Sequence, residues 1–133
     1  MSVTLRHAIK IDGSRERVYK ALTDIDEMAA WHQGNTGGNI EIGSVMSLSP
    51  KPGLSFAWKT EDLVENERIV QTCVDGPGTS AGKTLTFALS DADAGSTLLE
   101  LTDGEWPDDD DHLPFCNAHW GGVLHSLKQY IEG

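Results

Sequence analysis

The residues of this 133-residue chain best suited to chemistry are His112, Cys116 and His119, at positions i, i+4 and i+7 of one helical pattern. Imidazole and thiolate are zinc ligands, and Asp111 lies next door. The spacing supplies no fourth ligand and no second shell. Pro114 also belongs in a first helical turn, which leaves His112 at the very start with its side chain turned outward. No metal is therefore expected. His119 is also the one candidate for a catalytic acid or base, because imidazole titrates near working pH. It would need an orienting carboxylate, and Glu100 or Asp103 on the preceding strand could supply one. The plainer reading of His119 is a partly buried histidine bonded to backbone or water, and that reading is preferred.

Other reaction signatures are absent from the sequence. There is no Gly-x-Ser-x-Gly, no phosphate loop and no His-Glu-x-x-His. Gly76-Pro-Gly-Thr-Ser-Ala-Gly82 lacks the Gly-Lys-Ser/Thr ending and reads as a loop. The run Asp108 to Asp111 is a solvated loop whose charge favours the start of the helix that follows. No cofactor is expected.

These residues must be positioned by the elements around them. Leu113, Cys116, Trp120, Val123, Leu124, Leu127 and Ile131 recur at steps of three and four, which predicts one long amphipathic helix closed by Gly133. Nearly everything before it reads as strands. Val3, Leu5, His7, Ile9 and Ile11 alternate as a half-buried strand. Ser14 caps a helix lined by Val18, Ala21 and Leu22, and Glu27 to His32 forms a second, short one. Gly34-Asn-Thr-Gly-Gly38 reads as a loop. Short strands then follow at Ile40 and Ile42, at Val45 to Leu48, at Leu54 to Trp58, across Asp62 to Val74 with a bend near Asn66, at Leu85 to Leu89, and from Leu99 towards Trp106. Asp91 to Gly95 is a hairpin turn. Short connections imply antiparallel pairing, and helices set apart from strands imply an α+β layer structure. A terminal helix must lay its apolar stripe across that sheet, and a curved sheet leaves room for a ligand between them.

Bulk properties narrow the partners. Hydrophobic residues make up 38% of the chain, with four Trp, so one domain spanning 1–133 with a real core is expected. A net charge of −11 repels nucleic acid and anionic membrane surfaces, so neither is expected as a partner. No stretch approaches the ~20 apolar residues that span a bilayer. Met1 to His7 shows no apolar leader, so a cytoplasmic location is expected, with Cys73 and Cys116 as free buried thiols.

Ile9-Lys-Ile-Asp-Gly-Ser-Arg-Glu-Arg-Val-Tyr-Lys-Ala-Leu-Thr-Asp24 resembles the opening of the START-like (SRPBCC) superfamily. Pro52-Gly-Leu-Ser-Phe-Ala-Trp58, Glu67-Arg-Ile-Val70 and His119-Trp-Gly-Gly-Val-Leu-His-Ser-Leu-Lys-Gln-Tyr-Ile131 resemble its branch named for the activator of the heat-shock ninety ATPase. The resemblance implies a helix-grip fold: a curved antiparallel sheet around the C-terminal helix, in the order β-α-α-β6-α. It also places Trp31 and His32 at a cavity mouth. The superfamily holds lipid carriers, receptors, cyclases, dehydratases and co-chaperone domains, so the fold alone does not assign a function.

Phe56, Trp58, Phe87, Leu99, Leu101 and Trp120 are expected on the concave side of the sheet or against the helix. Plain core packing explains each of them singly; together they could line a pocket. With Trp31, His32, Cys116 and His119 they form the candidate ligand-binding set. The expected function is binding of a small hydrophobic or amphipathic molecule between sheet and helix, without catalysis. The alternatives are a cyclase- or dehydratase-like enzyme using His119, and a co-chaperone-like module with a chaperone partner. A monomer or a dimer would fit.

Overall fold

The computed structural model describes residues 2–32, 35–76, 81–93, 95–111 and 113–133, without the side chains of Pro50, Lys51, Leu54 and Cys116. Its elements run β1 (Ser2–Ile11), α1 (Arg15–Thr23), α2 (Ile25–Trp31), β2 (Asn35–Gly38), β3 (Val45–Lys51), β4 (Leu54–Val64), β5 (Arg68–Asp75), β6 (Thr84–Asp91), β7 (Thr97–Pro107) and α3 (Leu113–Glu132). All seven strands form one antiparallel sheet in the order β1-β7-β6-β5-β4-β3-β2. The sheet is open and curved, and α3 lies along its concave side. This is the α+β helix-grip arrangement.

Local chemistry explains the elements. The Ser14 hydroxyl accepts a hydrogen bond from the Arg17 amide at 3.2 Å and starts α1. Asp24 ends α1 and opens α2, its carboxylate accepting from the amides of Asp26 and Glu27. The Trp31 indole N–H donates to the Ala21 carbonyl at 2.9 Å and ties α2 to α1. Asn66 turns β4 into β5 at φ 62°, a left-handed conformation that asparagine tolerates. The register shifts between β1 and β7, between β3 and β4 and twice between β4 and β5 place an extra residue in β7, β3, β5 and β4, and such irregularities bend the sheet.

The inward residues follow from strand alternation. Leu5, Ile9 and Ile11 of β1 face Asp103, Leu99 and Thr97 of β7 in register. Leu85, Phe87 and Leu89 of β6 stand opposite Asp103, Leu101 and Leu99. Trp120, Val123, Leu124 and Leu127 of α3 close the core from the other side, with Leu113 and Ile131 packed against it.

One expected strand is displaced. Ile40 and Ile42 belong to no strand: Ile40 drops into the core from a connection, and Ile42 is exposed in a turn. The edge strand β2 lies earlier, at Asn35–Gly38, inside the stretch read as a loop. It pairs with β3 through Gly38↔Met46 and Asn35↔Ser49. Its residues carry no apolar alternation, so pairing of the backbone alone defines it. Gly38 sits at φ +80°, and a Cβ there would lie 2.3 Å from the Val45 carbonyl oxygen.

Gly38→Ala is therefore expected to destabilise the protein by about 1–3 kcal/mol and to release β2 from the sheet. Asn66→Gly, where positive φ suits the new residue, is expected to be near neutral. Urea midpoints together with amide exchange at residues 35–38 check both.

Candidate ligand-binding site

The seven aromatic and imidazole rings of the candidate set form one connected chain from α2 across the sheet. Trp31 meets His32 at 5.6 Å between ring centroids, and His32 meets His119 at 6.0 Å. His119 meets Phe56 at 6.3 Å and Trp120 at 5.7 Å. Phe56 stacks on Trp58 at 5.2 Å. Trp58 and Phe87 both meet Trp120 at 6.3 Å, the Phe87 contact being edge-on. Offset and edge-on pairs of this kind are the favoured aromatic geometries. Trp120 is thus the hub: it touches β4, β6 and β7 from the middle of α3.

The tie to β7 is a hydrogen bond. The Trp120 indole N–H donates to Asp103 Oδ2 at 2.9 Å, and both residues are buried. Burial pushes the Asp103 carboxyl above the usual carboxylate range. The Trp120 bond, the Trp106 indole, Lys83 and His7 pull the other way without cancelling the loss of solvent. By distance and angle, Trp106 Nε1 itself makes no hydrogen bond, so its influence is that of a nearby N–H dipole.

This geometry corrects the expected role of the carboxylates. Glu100 is exposed, and Asp103 serves Trp120 rather than His119. Among the described residues no carboxylate hydrogen-bonds His119; its neighbours are rings. Burial, and then the nearby His32, lowers the His119 pKa, which keeps the imidazole neutral at neutral pH. Leu99 and Leu101 are fully buried beneath the rings and form the floor. His112 and the Cys116 side chain lie outside the described residues. Among the described residues no group of His, Cys, Asp or Glu is placed to hold a metal ion. Cys73 is a free, buried thiol pushed up to about 11 by desolvation, and it donates to the Asp75 carbonyl. That makes it a packing residue rather than a nucleophile.

At the α2 end the ring chain reaches the surface. A groove of about 430 Å³ opens there, lined by Trp31, His32, Ala118, His119, Gly122 and Ser126 among others. So Trp31, His32 and His119 stand at the groove, Phe56 connects them inward, and Trp58, Phe87 and Trp120 fill the concave face. Sequence reasoning missed the Asp103–Trp120 pair and the buried bond from Gln71 Nε2 to Thr60 Oγ1 at 3.3 Å. The available signal was alternation: Asp103 continues the inward series Thr97, Leu99, Leu101.

Fold and site together describe a START-like domain whose grip is filled by rings and opens at one end. The family described as activator of Hsp90 ATPase homolog 1-like protein matches residues 12–132, and the chain belongs to it. Among solved structures, the Aha1 dimer from Colwellia psychrerythraea is similar at 26% identity and TM-score 0.88, over 98% of this chain and 96% of that one. CalU16 from Micromonospora echinospora is similar at 18% identity and TM-score 0.80, over 98% of this chain and 76% of that one. DynU16, a protein of the dynemicin biosynthetic locus, matches at 18% identity and TM-score 0.80, over 97% of this chain but 47% of that one. The last two share the fold only. No curated protein sequence matches this chain. Among the described residues no helix is long and apolar enough to cross a membrane.

Asp103→Asn is expected to stabilise the protein at pH 7, since the amide oxygen still accepts from Trp120 and the desolvated charge is gone. The sign follows from linkage: a carboxyl raised in the fold loses stability as pH climbs from its ordinary value through the raised one. The stability advantage of the variant should therefore grow as pH climbs from the ordinary carboxylate value through the raised one. Asp103→Leu leaves the indole N–H unpaired and is expected to be about 1–3 kcal/mol less stable than Asp103→Asn at every pH. Urea midpoints measured across that pH range test both variants.

Proposed function

We infer that this protein binds a small hydrophobic or amphipathic molecule between the sheet and α3, without catalysing a reaction. The observation that carries this reading is the ring chain from Phe87 to Trp31, which continues into an open groove at His119 and Gly122. Rings offer large apolar area at little cost in rotamer freedom, and His32 and His119 provide the few polar atoms that such pockets use for orientation. The neutral His119 imidazole suits a hydroxyl or carbonyl on the ligand. Displacement of water from this surface, at ~25 cal/mol/Å², supplies the driving force. One fold relative, DynU16, comes from a biosynthetic locus, that of dynemicin, which fits the reading. Of the candidate set, Trp31, His32 and His119 would touch the ligand in the groove, with Phe56, Trp58, Phe87 and Trp120 packed behind them.

A second reading draws on the family match. A chain of the activator of Hsp90 ATPase homolog 1-like family is a reasonable partner for a chaperone, and its acidic surface would suit a basic patch there. The enzymatic alternative has less support, because the carboxylate available on the concave face is engaged by Trp120.

Native mass spectrometry of the purified protein is expected to retain a small-molecule mass, and thermal shifts against lipids and polyketides should identify its class. Gly122→Leu fills the groove mouth at a position where a Cβ meets no atom within 4 Å. It should weaken binding at least about tenfold while leaving the melting temperature equal or higher. Absence of any retained mass and of any thermal shift would reject the ligand reading, and a chaperone captured by the ligand-free protein would favour the second one.

A further inference from the structure

The outer face of α3 differs from the rest of this surface. The chain carries ten basic and 21 acidic residues, yet Leu113 to Leu127 contains no Asp, Glu, Lys or Arg. Much of that segment is exposed: Pro114, Phe115, Asn117, Ala118, Gly121, Gly122 and His125 all face solvent. An exposed face stripped of charge on a strongly charged protein is the composition of an interface core.

The face also has a shape. Phe115 is 75% exposed, the most of any large hydrophobic residue described. Two turns further along the same line stands Gly122, at the Trp31–His32–His119 groove. Gly121 and Gly122 interrupt the middle of a helix, where glycine is the poorest ordinary former. Nothing inside the fold requires them, since a Cβ on either would meet no atom within 4 Å. What their bare backbone provides is room for something to approach from outside.

We propose that two copies of this chain pair through the outer faces of α3 about a two-fold axis at Ala118, with Phe115 of each copy seated over Gly122 of the other, at the mouth of its groove. Knob and hole lie on one stripe, about 10.5 Å apart along the helix, so an antiparallel pairing matches both at once. This is the self-complementarity of an isologous interface. Charge selects the same occupant. Each copy carries −11, and α3 is where two such surfaces meet without opposing like charges. The relative that is 26% identical over nearly its whole length is itself described as a dimer. In the pair, Phe115 of the second copy becomes a wall of the groove mouth. The dimer does not depend on the ligand reading.

Sedimentation velocity from low micromolar to sub-millimolar concentration tests the proposal on the intact chain. A reversible dimer is expected, and it should tighten from low salt to about 0.5 M salt as the repulsion between like-charged copies is screened. Phe115→Glu should raise the dissociation constant at least about 30-fold with an unchanged melting temperature, whereas Phe115→Trp should retain the dimer. In a mixture of isotope-labelled and unlabelled protein, filtered Overhauser spectra should connect the Phe115 ring to the Gly122 α-protons between copies. A monomer throughout the concentration range, or a dimer that Phe115→Glu leaves intact, overturns the proposal. Native spectra read dimer mass and ligand mass separately, so failure of one reading is distinct from failure of the other.

Discussion

The structure turns on one buried hydrogen bond, from the Trp120 indole to the Asp103 carboxylate. A helix laid on a curved sheet by apolar contacts alone can slide or rotate, because hydrophobic contact is not directional. The indole N–H gives the contact a direction. It fixes the rotation of α3, and with it the line of residues facing the sheet and the line facing solvent. Phe87, Trp58 and His119 then pack around a ring whose position is set. The cost is a desolvated carboxylate, which a purely structural core would avoid. Retaining it favours one helix register over its neighbours.

Much of this was legible in the sequence. Strict alternation along β1, β6 and β7 placed the inward residues, and the three-and-four spacing of α3 placed Trp120, Val123, Leu124 and Leu127. Both signals are strong because burial on one face forces a periodic pattern. The edge strand β2 was not legible, because Asn35-Thr-Gly-Gly38 carries no side-chain pattern and pairs by backbone alone. Its neighbour Ile40 looked like a strand residue yet is buried from a connection. The site was read less completely than the fold. The ring set could be named from its residues, but the partner of Asp103 could not. Alternation says that Asp103 points inward and leaves open whether His119 or Trp120 meets it; a rotation of α3 by one residue, about 100°, decides between them.

The two faces of α3 carry different duties. The inner face holds the grip and its ring chain. The outer face gives up charge and helix propensity at Gly121 and Gly122, and its bare backbone is the proposed seat for a second copy at the groove mouth. His119 stands at the seam between them, held neutral by burial and by His32. In the proposed pair, a ligand entering there would meet rings inward and Phe115 of the second copy outward.

The most direct test of this account is the exchange and titration of the four indole protons by NMR. The Trp120 indole proton is predicted to exchange only with global unfolding, more slowly than the other three. Its shift should follow a single titration whose midpoint lies above the ordinary carboxylate value, and the titration should vanish in Asp103→Asn. A Trp120 indole proton that exchanges within minutes, or one blind to Asp103, would contradict the claim that this bond sets the register of the helix on the sheet.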